Sequence, residues 1–117
     1  MGDVTIWHNA KCSKSRKTLE LLRERGVEPT ILLYRETPPD AQEIDRVLTA
    51  LDREPRELMR TNDALYKELG LDDVDLSRTQ LIVAMVDHPI LIERPVVLHD
   101  DRAAVGRPPE TVLALFE

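Results

Sequence analysis

The 117-residue chain predicts an α/β fold with a mixed sheet of about four strands, made of a βαβ half and a ββα half with a helical insertion at about residues 40–87. Three observations carry that reading. Short β-rich runs at Val4–Trp7 and Thr30–Tyr34 flank a segment with helical leucine spacing. The middle third carries helix-start signals followed by apolar stripes. Two apolar runs and an Asp-Asp turn then precede a proline-started final helix. A length of 117 residues suits one core, so residues 1–117 are expected to form a single domain.

Val4-Thr5-Ile6-Trp7 reads as the first strand, followed by a polar loop. Leu19, Leu21 and Leu22 mark a helix over Ser13 to Arg25, and Gly26 is placed to end it. Thr30-Ile31-Leu32-Leu33-Tyr34 is continuously apolar, as expected of a strand buried on both faces and paired in parallel with the first. Pro38-Pro39 stops that strand, and Asp40 with Glu43 starts a helix bearing Ile44, Val47, Leu48 and Leu51. Asp63 to Leu69, closed by Gly70, reads as a short helix. Ser77 with Gln80 begins another, carrying Leu81, Ile82, Met85 and Val86. Ile90-Leu91-Ile92 and Pro95 to His99 read as strand, proline break and strand. Asp100-Asp101 turns the chain so that Ala103-Ala104-Val105 returns antiparallel, and Pro109 to Phe116 closes as a helix. This order is the thioredoxin-like arrangement.

Composition narrows the function classes. Sixteen basic against twenty-two acidic residues give a net charge of −6, which disfavours binding that relies on phosphate neutralisation. The four aromatics, Trp7, Tyr34, Tyr66 and Phe116, are too scattered to make a base-stacking platform. No nucleic-acid partner is expected. No apolar run is long enough to span a bilayer, and the N-terminus lacks a secretory pattern, so a cytoplasmic protein without a membrane partner is expected. One cysteine, Cys12, allows no internal disulfide and fits a reducing compartment.

Cys12 falls where the first strand's loop meets the first helix, and the unpaired N–H groups of a helix start favour an anion such as a thiolate. Between residues 11 and 25, six basic residues stand against Glu20 and Glu24, a local charge of +4 in a chain of −6. Such surroundings lower a cysteine pKa from ~8.5 to roughly 3.5 to 7.5. Two readings stay open: a reactive thiolate, or a buried cysteine beside a solvated basic face. Ser15 occupies the position where a dithiol oxidoreductase carries its second cysteine, which excludes classical dithiol exchange. The spacing from Cys12 to Arg16 is too short for a tyrosine-phosphatase loop. Ser15, one helical step from Cys12, is expected to hydrogen-bond the thiolate or a bound oxyanion. His8 could favour the thiolate as His⁺, or be a loop histidine satisfied by backbone. His8, Cys12, His88 and His99 show no metal-ligand spacing, so no metal site is expected.

His8-Asn9-Ala10-Lys11-Cys12-Ser13-Lys14-Ser15-Arg16 resembles the His-Asn-x-x-Cys-x-x-Ser-Arg signature of the glutaredoxin-coupled arsenate reductases. Glu28-Pro29-Thr30, His88 to Pro95 and Gly106-Arg107-Pro108 resemble later segments of the same family, in order and across the whole chain. Where members often carry Pro, this chain has Ala10, and Lys11 and Lys14 replace small neutral residues. The resemblance implies Cys12 as nucleophile and Arg60, Arg94 and Arg107 as ligands of the oxyanion. His8, Ser15 and Arg16 would support the site, and Arg94-Pro95 would be the cis-proline peptide of the fold. It implies reduction of arsenate to arsenite with glutathione as co-substrate, glutaredoxin as partner and no bound cofactor, in a monomer.

Each arginine also reads as an ordinary surface charge, with Glu93 a partner for Arg94 and Glu57 for Arg60, or with Arg53, Arg56 and Arg60 as one solvated helix face. Two rival functions use the same architecture. One is an Spx-type regulator that binds RNA polymerase, although its usual CxxC switch is interrupted by Ser15. The other is a thiol oxidoreductase acting on a different substrate.

Overall fold

The computed structural model describes residues 3–117, and the chain forms two compact units: one runs up to Thr37 and resumes at Arg94, the other is Pro38–Glu93. The first holds a four-stranded sheet of β1 (Val4–Trp7), β2 (Thr30–Leu32), β3 (Val96–His99) and β4 (Arg102–Val105), in the order β2-β1-β3-β4. β1 pairs in parallel with β2 and antiparallel with β3, which pairs antiparallel with β4. Crossing from β1 to β2 is α1 (Ser13–Glu24), whose buried residues Ser15, Thr18, Leu19 and Leu22 recur at helical spacing along one stripe. Leu19 and Leu22 join Val4, Ile6, Val97, Val112 and Leu115 in one apolar cluster. Full burial of each such side chain stabilises by about 1.5–3 kcal/mol. α1 ends as its leucine pattern predicts, with Gly26 at φ +80 just beyond it.

β2 departs from expectation: Ile31 and Leu33 are 39% and 42% exposed, so this is not a strand buried on both faces. It lies at the end of the sheet and pairs only with β1, and an edge strand has no neighbour to cover its outer flank. The C-terminal helix, Pro109–Phe116, is 3₁₀ rather than α. Side chains from the sheet engage its last carbonyls: Arg102 donates to Ala114 O at 3.0 Å and Leu115 O at 3.2 Å, and His99 Nδ1 lies 2.9 Å from Leu115 O.

Gly106 lets these layers meet. Its N–H donates to the Pro95 carbonyl at 2.9 Å. A Cβ there would stand 2.5 Å from Thr18 Oγ1, itself donated to Lys14 O at 2.8 Å, and 2.8 Å from Pro95 Cγ. Gly106→Ala is therefore expected to cost about 1–3 kcal/mol of overpacking in urea unfolding. Thr18→Ala in the same chain removes one clash, so the double variant should lose less than the two single losses added together.

The second unit contains α2 (Ala41–Leu51), α3 (Ala64–Glu68) and α4 (Arg78–Asp87). Asp40 accepts from Glu43 N–H at 2.8 Å to cap α2, and Ser77 and Gln80 form the reciprocal box that opens α4. α2 packs on α4 and buries Ile44, Val47 and Leu48, while α4 buries Leu81, Ile82 and Met85. Ile90-Leu91-Ile92 is not a strand. Pro89 fixes φ and opens a 3₁₀ turn over Pro89–Leu91, leaving Ile92 in a single antiparallel bridge to Met59. Among the described residues, no helix is long and apolar enough to cross a membrane.

Candidate active site

The residues from His8 to Cys12 form a tight loop held from three directions. Cys12 N–H donates to Asn9 O at 3.0 Å, and Lys11 N–H donates to the Asn9 side-chain oxygen at 3.0 Å. Arg16, one turn into α1, donates to Ala10 O at 2.9 Å. Asn9 N–H donates to Ser15 Oγ at 3.0 Å. This loop delivers Cys12 to the N-cap of α1, half-buried and extended in backbone.

A cap is usually Ser, Thr, Asp or Asn. Cys12 makes no strict capping hydrogen bond, yet the helix N-terminus still acts on its sulfur. Burial alone would raise the thiol, but the N–H groups of Ser15 and Lys14, followed by the Arg94 guanidinium, outweigh it and leave Cys12 below its ordinary value. Arg94 acts both by its charge and as a donor near the sulfur. Its Nε and one terminal nitrogen are buried with no acceptor among the described residues. Buried donors are nearly always satisfied, so these two nitrogens suit an anion arriving from outside.

Arg107 is exposed and donates to the Arg94 carbonyl at 3.0 Å, bracing the segment that carries Arg94. The Arg94-Pro95 peptide is cis, as the resemblance implied, and Arg107-Pro108 is cis as well. Arg60 belongs to the second unit, where it lies 3.5 Å from Asp63 and 4.0 Å from Glu93. Glu93 thus lies against Arg60, while the Glu57 carboxylate accepts from Glu54 N–H at 2.9 Å. Nor do Arg53, Arg56 and Arg60 make one helix face. A 3₁₀ turn spans Pro55–Leu58, Arg56 donates to Tyr66 and to the Leu71 and Asp73 carbonyls, and Arg60 N–H donates to Leu91 O.

Ser15 and His8 behave differently from the expectation drawn from spacing. The Ser15 hydroxyl is fully buried and sits 2.6 Å from His8 Nδ1, so its side chain serves His8 and Asn9 while only its backbone N–H faces the sulfur. With Asn9 N–H donating to that oxygen, the pairing that uses every group has Ser15 donating to Nδ1 of a neutral ring. Burial, then the charges of Arg23 and Arg16, push the His8 imidazole below its ordinary value. His8 therefore carries no positive charge for the thiolate at neutral pH. Its unfolded form protonates near ~6.5 while its folded form resists. Below that pH the unfolded state binds more protons, so the stability present above ~6.5 is lost as pH falls. In urea titrations from pH 7.5 to 5, His8→Gln should show a shallower loss than the wild type.

Asn9 and Gly106 are the structural parts of the site that residue spacing did not single out. An Asn followed two residues later by a free N–H is an Asx-turn signal that could have marked the first. Among the described residues, no three His, Cys, Asp or Glu side chains gather to hold a metal ion.

Fold and site together define a thioredoxin-like domain that presents a cysteine of lowered pKa at a helix start beside an arginine. The chain belongs to the ArsC family, whose profile it matches over residues 7–115. An uncharacterised Escherichia coli protein, YfgD, is 54% identical over 96% of this chain and 95% of its own. An arsenate reductase of Neisseria meningitidis is 47% identical over 99% of this chain and 100% of its own. The solved structure of an arsenate reductase from Vibrio cholerae superposes with a TM-score of 0.94 at 48% identity, covering 97% of each chain.

Proposed function

We propose that this protein reduces arsenate to arsenite through a covalent Cys12 adduct, with glutathione and glutaredoxin supplying the electrons. The observation that carries the reading is Cys12, its pKa lowered, beside Arg94, two of whose buried nitrogens have no acceptor among the described residues. Relatives of similar length named arsenate reductase support the substrate.

The Cys12 thiolate attacks arsenic, an As–O bond breaks, and the departing oxygen leaves as water after taking up a proton. Arg94, with Arg107 behind it, offsets the repulsion between two anions. A glutathione thiolate then attacks the Cys12 sulfur. The new S–S bond forms as the S–As bond breaks, and its electron pair stays on arsenic, giving As(III) and a Cys12–glutathione disulfide. Glutaredoxin removes the glutathione by thiol–disulfide exchange and restores Cys12. One cysteine per chain requires this external thiol. A cycle driven by the glutathione pool suits a reducing, cytoplasmic setting.

The test is arsenate-dependent NADPH oxidation with glutathione, glutaredoxin and glutathione reductase, together with mass detection of the Cys12–glutathione disulfide. Oxidation that does not depend on arsenate, or no oxidation at all, moves the weight to a regulator or to another thiol substrate.

A further inference from the structure

We infer that the cavity beside the Cys12 loop seats the reducing thiol and recognises a small molecule with two carboxylates and one ammonium group. This rests on the glutathione-coupled reading above. The cavity measures about 390 Å³, within the range of small-molecule sites, and lies wholly in the first unit. One wall is the loop containing Asn9, Ala10 and Lys11, and the other is Leu33, Arg35 and Glu36.

Both walls are fixed by backbone. The loop is closed by Cys12 N–H on Asn9 O, and the turn after β2 by Glu36 and Thr37 N–H on Leu33 O at 2.9 Å each. Lys11 and Arg35 supply two cations and Glu36 one anion. Among the described residues, none of these three side chains has an ion-pair or side-chain hydrogen-bond partner, although the chain carries a net charge of −6. Glutathione at neutral pH bears two carboxylates and one ammonium, the same charges with the signs reversed. Leu33, 42% exposed, offers an apolar surface to its methylenes. Cys12 follows Lys11 directly in the chain, so a tripeptide anchored by its ends on these charges lies against the loop that delivers the reacting sulfur.

The test needs no arsenate. Reduced full-length protein is treated with glutathione disulfide or with neutral hydroxyethyl disulfide, and formation of the Cys12 mixed disulfide is followed by mass. In both reactions the Cys12 thiolate attacks one sulfur, a new S–S bond forms, and the other half leaves as a thiolate. The ratio of the two rates cancels any change in Cys12 nucleophilicity caused by losing a neighbouring charge. Lys11→Ala and Arg35→Ala should each lower that ratio about three- to tenfold, and the double variant more than either. Glutathione ethyl ester disulfide should lose part of the wild-type advantage. A double variant whose ratio stays at the wild-type value overturns the site, even if arsenate turnover with glutathione is normal. A falling ratio in a protein that reduces no arsenate upholds the site and removes the arsenate reading.

Discussion

Cys12→Ser should lower arsenate turnover by at least ~10⁴-fold while leaving the fold as stable as before or slightly more so. The loss follows from chemistry that serine does not have. Its hydroxyl stays protonated at neutral pH beside the same N–H groups that favour a thiolate, and it forms no disulfide with glutathione. No other thiol in the chain replaces it. The stability follows from position, because Cys12 is the N-cap of α1 and makes no strict capping hydrogen bond. Serine is among the best residues there, with caps worth about 0.5–2 kcal/mol. The two readouts are coupled NADPH oxidation and urea unfolding, and residual turnover above trace in a folded variant refutes the adduct.

The pH dependence of the same residue has a defined sign. A folded-state pKa below the unfolded value means that the unfolded state holds the proton longer, so stability rises with pH between the two values. That contribution is complete above the unfolded pKa and is lost as pH falls through the folded pKa. Iodoacetamide alkylation of the native protein should accordingly have its midpoint below that of the unfolded chain. Cys12→Ser should remove the rise in stability across that window.

What could be read from the sequence divides by the range of the interactions involved. The caps at Asp40 and Ser77 and the stop at Gly26 depend on groups within four residues, and the structure places them where the residues predicted. β2 was misjudged because continuous apolarity says nothing about where a strand lies in the sheet, and its edge position leaves Ile31 in water. Ile90 to Ile92 failed as a strand because proline geometry and a single bridge to Met59 set its path. Within the site, spacing placed Ser15 near Cys12 but did not show which way its hydroxyl turns. His8, seven residues earlier at the end of β1, takes that hydroxyl at 2.6 Å. The approach of Arg94 to Cys12 joins residues from opposite ends of the chain through pairing of β1 with β3, and only the family resemblance pointed to it.

Arg94→Ala should cut kcat/KM for arsenate by ~10² or more, the usual consequence of removing one preorganised charge stabiliser. Arg94 acts twice, lowering the Cys12 pKa and offering two buried donors without an acceptor among the described residues, so its loss weakens both the nucleophile and the hold on the oxyanion. These effects separate by pH. Raising the pH restores the thiolate in the variant but not the missing donors, so the deficit should shrink with pH and level off short of recovery. Arg94→Lys should rescue part of the rate, since an ammonium keeps the charge and loses the planar fork. Arg107→Ala should cost less, near tenfold, because Arg107 is exposed and bonds the Arg94 carbonyl. Sulfate or phosphate should compete with arsenate in the wild type and lose potency in Arg94→Ala. If Arg94→Ala matches the wild type in kcat/KM and in sulfate inhibition, the oxyanion is not held beside Cys12 and the arsenate reading falls with it.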